Sequence, residues 1–276
     1  MSIQTKNFNK KNQVSLIFGE LANTYYSVNS ATQDMPIVIF DTQELETSKT
    51  IKNNYTVFQI SDSGTGANPA KGRELMQTKL TELDSIINQY DVVNIFHGKC
   101  GGTSGSSLEA GDYIKSKGKL VLFHPMGMIS TDASAGDRMA NLEYSNDALK
   151  DHNHCNLEAM ETKSLKDIGN LVKTRIDNML SVANFRNFDN NDFLNLFTNK
   201  EFTVATGNNP IELKTKVQKF FNQNISTYFI GQSSESGDLN KSQMLNLLLQ
   251  NRLVDNSRSK TATKFGDNEL VVLACR

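Results

Sequence analysis

The chain has 276 residues, room for one large or two medium domains with real cores. Its 29 basic and 30 acidic residues leave a net charge of −1, so no global field draws it onto nucleic acid or an anionic membrane, and direct binding to either is not expected. Three cysteines (Cys100, Cys155 and Cys275) make a poor disulfide scaffold and fit a reducing cytoplasm, while the absence of an apolar leader or a bilayer-length apolar run predicts neither signal peptide nor membrane span.

Val14–Phe18 reads as a short buried strand that runs into a tight turn at Gly19 and a helix carrying Tyr25 and Tyr26. Met35–Phe40 is a second apolar strand, ending at Asp41, and Tyr55–Ile60 is a third. A single helix is predicted over about 70–89, with Leu75, Met76, Leu80, Leu83, Ile86 and Ile87 at helical spacing. Val92–Phe96 is a strand feeding a glycine-rich loop at 98–107, followed by a helix at 107–116 and a strand at Leu120–Phe123. Residues 136–150 read as a charged helix, Cys155–Glu161 as a weak strand, and 164–183 as a long helix with an apolar stripe through Leu165, Ile168, Leu171, Val172, Ile176 and Leu180. Beyond Phe185 the character changes to a smaller α/β unit. Strands are predicted at 201–206, 225–230 and 269–274, helices at 192–198, 210–222 and 240–250, and a surface loop at 255–261.

Strands that are apolar on both faces and alternate with helices predict a parallel sheet covered on both sides. Ligands in such sheets bind at the carboxyl ends of the strands. Two loops there stand out, Gly64-Thr-Gly-Ala-Asn-Pro-Ala-Lys-Gly72-Arg and Gly98-Lys-Cys-Gly-Gly-Thr-Ser-Gly-Ser-Ser107. Permissive backbone of this kind exposes N–H groups to phosphates, and two such loops suggest a nucleotide. Loops at 19–23, 64–68 and 101–106 would supply backbone donors, and Thr103, Ser104 and Ser106 would add hydroxyls. Taken singly, each also reads as an ordinary tight turn. The His152-Asn-His154-Cys155 cluster has no partner group in the sequence, and no metal site is assigned to it.

In order and spacing, these loops resemble the tubulin/FtsZ superfamily of polymerising GTPases, and most of all its plasmid- and phage-encoded TubZ- and PhuZ-like branch. Gly19-Glu-Leu-Ala22-Asn23 is similar to the first nucleotide loop, and Asp41-Thr-Gln43 to the second with its Asn replaced. Gly64-Thr-Gly66-Ala67-Asn68-Pro resembles the third, and Cys100-Gly101-Gly102-Thr103-Ser104-Gly105-Ser106 the tubulin signature, with Cys100, Ser104 and Ser106 where glycine is usual. Gly136-Asp-Arg138-Met-Ala140 resembles the fifth loop, and Asn187-Phe-Asp189-Asn-Asn-Asp192 the Asn-x-Asp-x-x-Asp catalytic loop.

The resemblance implies a Rossmann-like parallel-sheet GTP-binding domain over 1–163, a long connecting helix over 164–186, and a smaller α/β activation domain over 187–276. It implies GTP/GDP with Mg²⁺, the latter held mainly through phosphate oxygens and water. Asn23 and Asn68 would contact base, ribose or phosphate, or else cap helices. Arg138 would meet ribose or phosphate, and Asn170 would face the guanine, although each also reads as an exposed helical residue. Asp189 and Asp192 would polarise the attacking water in the site of the next subunit, and either also reads as a helix cap. The partners implied are copies of the chain stacked head to tail, and a DNA-binding adaptor that connects the filament to plasmid or phage DNA in a bacterial cytoplasm. The alternatives are an FtsZ-like division protein, a non-hydrolysing filament protein or assembly regulator, and a Rossmann-type oxidoreductase. Against the last, Gly19-x-x-Ala22 does not make Gly-x-Gly-x-x-Gly. A C-terminal helix and tail used by relatives to reach neighbours do not follow the last strand in this sequence, which implies either a shortened chain or a member that dispenses with them.

Overall fold

The computed structural model describes residues 12–28, 35–42, 55–127, 134–155, 164–183, 194, 197, 201–207, 227–233, 259–264 and 269–275. The chain divides into two units, one of them Asn12–Ile176 and the other built on Asp177–Arg276.

In chain order the first unit holds β1 (Gln13–Phe18), α1 (Glu20–Val28), β2 (Ile37–Asp41), β3 (Thr56–Gln59), α2 (Pro69–Gln77), α3 (Leu80–Ile87) and β4 (Val92–Gly98). It continues with α4 (Thr103–Ser116), β5 (Leu120–Met126), α5 (Ala135–Leu149), β6 (His154–Cys155) and the greater part of α6 (Leu165–Ala183). The strand order is β3-β2-β1-β4-β5-β6, and every pairing is parallel. This is the α/β Rossmann-like arrangement expected of strands buried on both faces. From β1 the chain proceeds outward through β2 and β3, then returns to lay β4 on the other side of β1. The strand order therefore reverses between β1 and β4, which is where open α/β sheets bind ligands.

Alternation along β1 sends Val14, Leu16 and Phe18 to one face, where they join Met76, Leu83, Ile95, Leu108 and Ile114 in a buried core. Phe18, Phe40 and Phe58 are directly paired across β1, β2 and β3. Their rings stack with centroids 4.5 Å and 4.7 Å apart, so the three strands are locked in register beside the site. The alternate residues make a polar group: Asn94 donates to Gln13 Oε1 at 3.0 Å, and His124 Nε2 lies 3.2 Å from Asn94 Oδ1. Burial, and then the charge of Arg175, hold the His124 imidazole well below its ordinary pKa.

The predicted helix over 70–89 is two helices, α2 and α3. Thr78 ends the first: its hydroxyl donates to the Leu75 carbonyl at 2.7 Å, and Thr78 and Lys79 N–H donate back to Leu75 and Met76. A threonine hydroxyl competing for a helical carbonyl favours such a break, although the apolar spacing runs through it.

In the second unit β10 (Glu269–Cys275) pairs antiparallel with both β7 (Glu201–Gly207) and β8 (Thr227–Ser233), and β8 pairs in parallel with β9 (Ser259–Lys264). β9 corrects the surface loop expected at 255–261. Ser-Lys-Thr-Ala-Thr-Lys has no apolar face to mark it in sequence, as suits a polar strand at the end of the strand order. Phe197 meets Phe202 edge-on at 5.1 Å, and Asn178 on the last turns of α6 donates to the Val204 carbonyl at 3.2 Å. The predicted helices at 210–222 and 240–250, and most of the helix at 192–198 and of the strand at 155–161, lie outside the described residues.

Candidate functional site

At the carboxyl ends of β1 to β4 lies a cleft of about 320 Å³, lined by Phe18–Leu21, Asp41–Thr42, Gly64–Ala67, Gly98 and Gly101–Thr103. Gly19 makes the first turn at φ +67, and a Cβ there would fall 2.4 Å from Thr103 Oγ1, so the loop after β1 and the start of α4 touch. Helices α1, α2 and α4 begin at Glu20, Pro69 and Thr103, so three N-termini converge on the cleft and bring partial positive charge. Gly66 and Ala67 both adopt φ +59, a conformation that costs a non-glycine residue free energy and that gathers at binding sites. The N–H groups of Gly66, Ala67, Gly101, Gly102 and Thr103 meet no acceptor among the described residues. Unpaired backbone donors at helix N-termini are the chemistry an anion requires. Glu20 and Asp41 are the charged side chains among the lining residues described, and both are acidic.

The structure thus brings Gly19, Asp41, Gly64, Gly66, Ala67, Gly101, Gly102 and Thr103 to one cleft. Ala22 is fully buried on α1, its N–H donating to the Gly19 carbonyl at 2.9 Å. Asn23 lies on α1, but its side chain is outside what the structure describes. Asn68 is the N-cap of α2, accepting from Ala70 and Lys71 N–H at 2.9 Å and 3.3 Å.

The predicted loop at 98–107 is shorter than expected, because α4 starts at Thr103 and takes in Ser104, Gly105 and Ser106. The hydroxyl of Ser104 donates to Gly101 at 2.7 Å and that of Ser106 to Gly72 at 2.8 Å, both carbonyls, and neither side chain lines the cleft. A Cβ on Gly105 would lie 1.7 Å from the Pro69 carbonyl oxygen, so this glycine sets how closely α2 and α4 pack. Arg138 is half-buried in the first turn of α5 and Asn170 is exposed on α6, and neither is among the lining residues. Asp189 and Asp192 lie outside the described residues.

Among solved structures, the chain is similar to the empty FtsZ dimer of M. jannaschii, with 16% identity over 99% of this chain and 88% of that one and a TM-score of 0.69. It is also similar to the phage tubulin PhuZ with GDP (10% identity, 95% and 85% covered, TM-score 0.70). The PhuZ201 filament gives 12% identity, the same coverage and a TM-score of 0.71. This chain has the tubulin/FtsZ fold. No family model matches the sequence, and no curated protein matches it either.

Sequence reasoning missed part of what holds the cleft together in this tubulin/FtsZ fold. On α5, Asn141 is buried, and its Nδ2 donates to the Ala67 carbonyl at 2.7 Å and to the Cys100 carbonyl at 3.0 Å. One turn on, the Ser145 hydroxyl donates to the Lys99 carbonyl at 3.0 Å. The signal available in the sequence was two polar residues at 141 and 145 in step with Leu149, on the face an amphipathic helix normally gives to apolar side chains. Below the signature loop, His97 Nδ1 bonds the Ser107 hydroxyl, which itself donates to the Ser104 carbonyl at 2.7 Å. Burial, and then the charge of Lys99, push the His97 imidazole from 6.5 down to about 3, so it stands neutral under α4. Among the described residues no helix is long and apolar enough to cross a membrane, and no group of three or more His, Cys, Asp or Glu is placed to hold a metal ion.

Proposed function

We propose that the chain is a filament-forming GTPase that binds GTP in this cleft and hydrolyses it at the contact between head-to-tail subunits. The observation that carries the reading is the set of five N–H donors without an acceptor among the described residues, beside three helix N-termini, at the switch point of a tubulin/FtsZ fold. Further support comes from similar structures that are an FtsZ dimer, a PhuZ filament and a PhuZ with GDP.

In this reading the backbone of Gly66, Ala67, Gly101, Gly102 and Thr103 holds the phosphates. Mg²⁺ bound with the nucleotide would take most of its ligands from phosphate oxygens and water, with Asp41 and Glu20 as the acidic groups that line the cleft, and would neutralise phosphate charge. Asp189 and Asp192 orient the attacking water in the neighbouring subunit's cleft. A head-to-tail contact of this kind is heterologous and builds open filaments. The cargo is plasmid or phage DNA, reached through an adaptor, and the setting is the bacterial cytoplasm.

The test is GTP turnover per subunit against protein concentration, with electron microscopy in GTP and in GDP. A site completed in trans gives a steep rise in rate with concentration and filaments in GTP. Asp192→Ala should lower turnover by roughly 10²–10⁴-fold and leave filaments intact. A rate per molecule that is constant on dilution overturns the shared site.

A further inference from the structure

We infer that Asn141 is a positioning residue that clamps both phosphate-type loops, turning the Gly101 N–H towards the cleft and holding Ala67 in its positive-φ turn. The inference rests on the reading of the cleft as a nucleoside triphosphate site. An asparagine amide has two N–H donors, and here one nitrogen serves the Ala67 carbonyl at 2.7 Å and the Cys100 carbonyl at 3.0 Å. Those residues belong to different loops, and the side chain joining them is 7% exposed. Both loops are thereby fastened to α5, which itself lines none of the described cleft.

The direction of these bonds matters. A trans peptide carries its C=O and N–H on opposite sides. With the Cys100 carbonyl held towards α5, the Gly101 N–H of the same peptide is turned the other way. Gly101 lines the cleft, and its N–H has no acceptor among the described residues. Ser145 repeats the device one peptide earlier by holding the Lys99 carbonyl. At the other loop, Asn141 pins the carbonyl of Ala67, the residue at φ +59. The next N–H, that of Asn68, closes the turn on the Thr65 carbonyl at 3.2 Å. Without the clamp, Ala67 has less to keep it in a disfavoured conformation, and the two sets of donors lose their common frame.

A positioning role and a merely structural one differ in which part of the nucleotide suffers. Full-length protein is titrated with GTP and Mg²⁺ by calorimetry, and with guanosine at millimolar concentration by competition. Asn141→Leu keeps the size of the side chain and removes both donors. It should raise the Kd for GTP roughly 10–100-fold while guanosine shifts by about 2-fold or less. Ser145→Ala, which frees one carbonyl of one loop, should weaken GTP by roughly 5-fold. Hydrogen exchange in the nucleotide-free Asn141→Leu protein should quicken at 65–68 and 99–102.

If Asn141→Leu does not fold, Asn141→Ser, too short to reach both carbonyls, carries the same comparison. Failure of both to fold assigns Asn141 to the core and overturns the inference. If the unaltered protein binds no GTP, the reading of the cleft fails and the clamp with it. If the unaltered protein binds GTP while the variant binds it equally well, or loses GTP and guanosine by one factor, the clamp alone is wrong.

Discussion

In the loop at 64–68 glycine supplies conformation, whereas in the segment at 101–106 it supplies proximity. Gly66 sits at φ +59 with nothing within 4 Å of where its Cβ would be, and Ala67 follows it into the same region of backbone space. Gly105 has ordinary helical backbone, but the Pro69 carbonyl oxygen fills the place of its Cβ. The first loop faces the open cleft. The second is shaped as much by α2 packing onto α4, and its serines follow that logic, since Ser106 donates to Gly72 on the facing helix. Two stretches that read alike as phosphate loops thus differ: both expose donors, and only the second also forms a tight helix crossing.

The largest expected effect lies in the packed segment. Gly105→Ala puts a methyl group against backbone that cannot rotate away, and should cost about 3 kcal/mol in urea unfolding. A loss no greater than that of a surface substitution would remove proximity as the reason for this glycine.

Acid should attack the same segment next. The folded pKa of His97, about 3, lies below its unfolded value of 6.5, so unfolding takes up a proton. Its contribution is complete above about pH 6.5 and is lost as pH falls towards 3, which amounts to roughly 2 kcal/mol between pH 7 and pH 5. His124 is depressed in the same direction. Asp112, lowered first by its hydrogen bond from His152, which lies 3.1 Å away, adds to the loss at the acid end. His97→Asn, which keeps a donor for Ser107, should flatten the urea-stability profile over this range. Hydrogen-exchange protection at 101–107, corrected for the intrinsic pH dependence, should fall on acidification before that at 64–68.

In the open loop the effects are smaller. Gly66→Ala meets no neighbour and carries only the strain of its positive φ, about 1 kcal/mol, readable as a shift in the unfolding midpoint. Back in the packed segment, Ser106→Ala should likewise cost about 1 kcal/mol through the lost bond to Gly72, with little change in nucleotide affinity. If Ser106→Ala instead weakens GTP strongly and leaves stability alone, the division drawn between the two loops is wrong.

Much of the first unit could be read before the structure was seen, because its signals are local. Val14–Phe18 and Val92–Phe96 announce buried strands by apolar runs with one polar residue each, and Gly19 after the first and Gly98 two residues past the second fall at the cleft. Where two local signals competed, the reading failed: apolar spacing ran on through Thr78 while its hydroxyl ended the helix. Where the local signal was weak, as in Ser259–Lys264, a strand passed for a loop.

The succession of strands and helices in the first unit, the break at Thr78 apart, and the placing of glycine loops after strands were determined by the sequence alone, since each rests on patterns within a few residues. Tertiary structure decided which polar groups face the cleft and which hold the frame. Ser106 finds its acceptor 34 residues back, and Asn141 reaches across 74 residues to Ala67. Partners so distant leave no periodic trace, because the hydrogen bond depends on where folding brings the backbone and not on what neighbours the side chain in the chain.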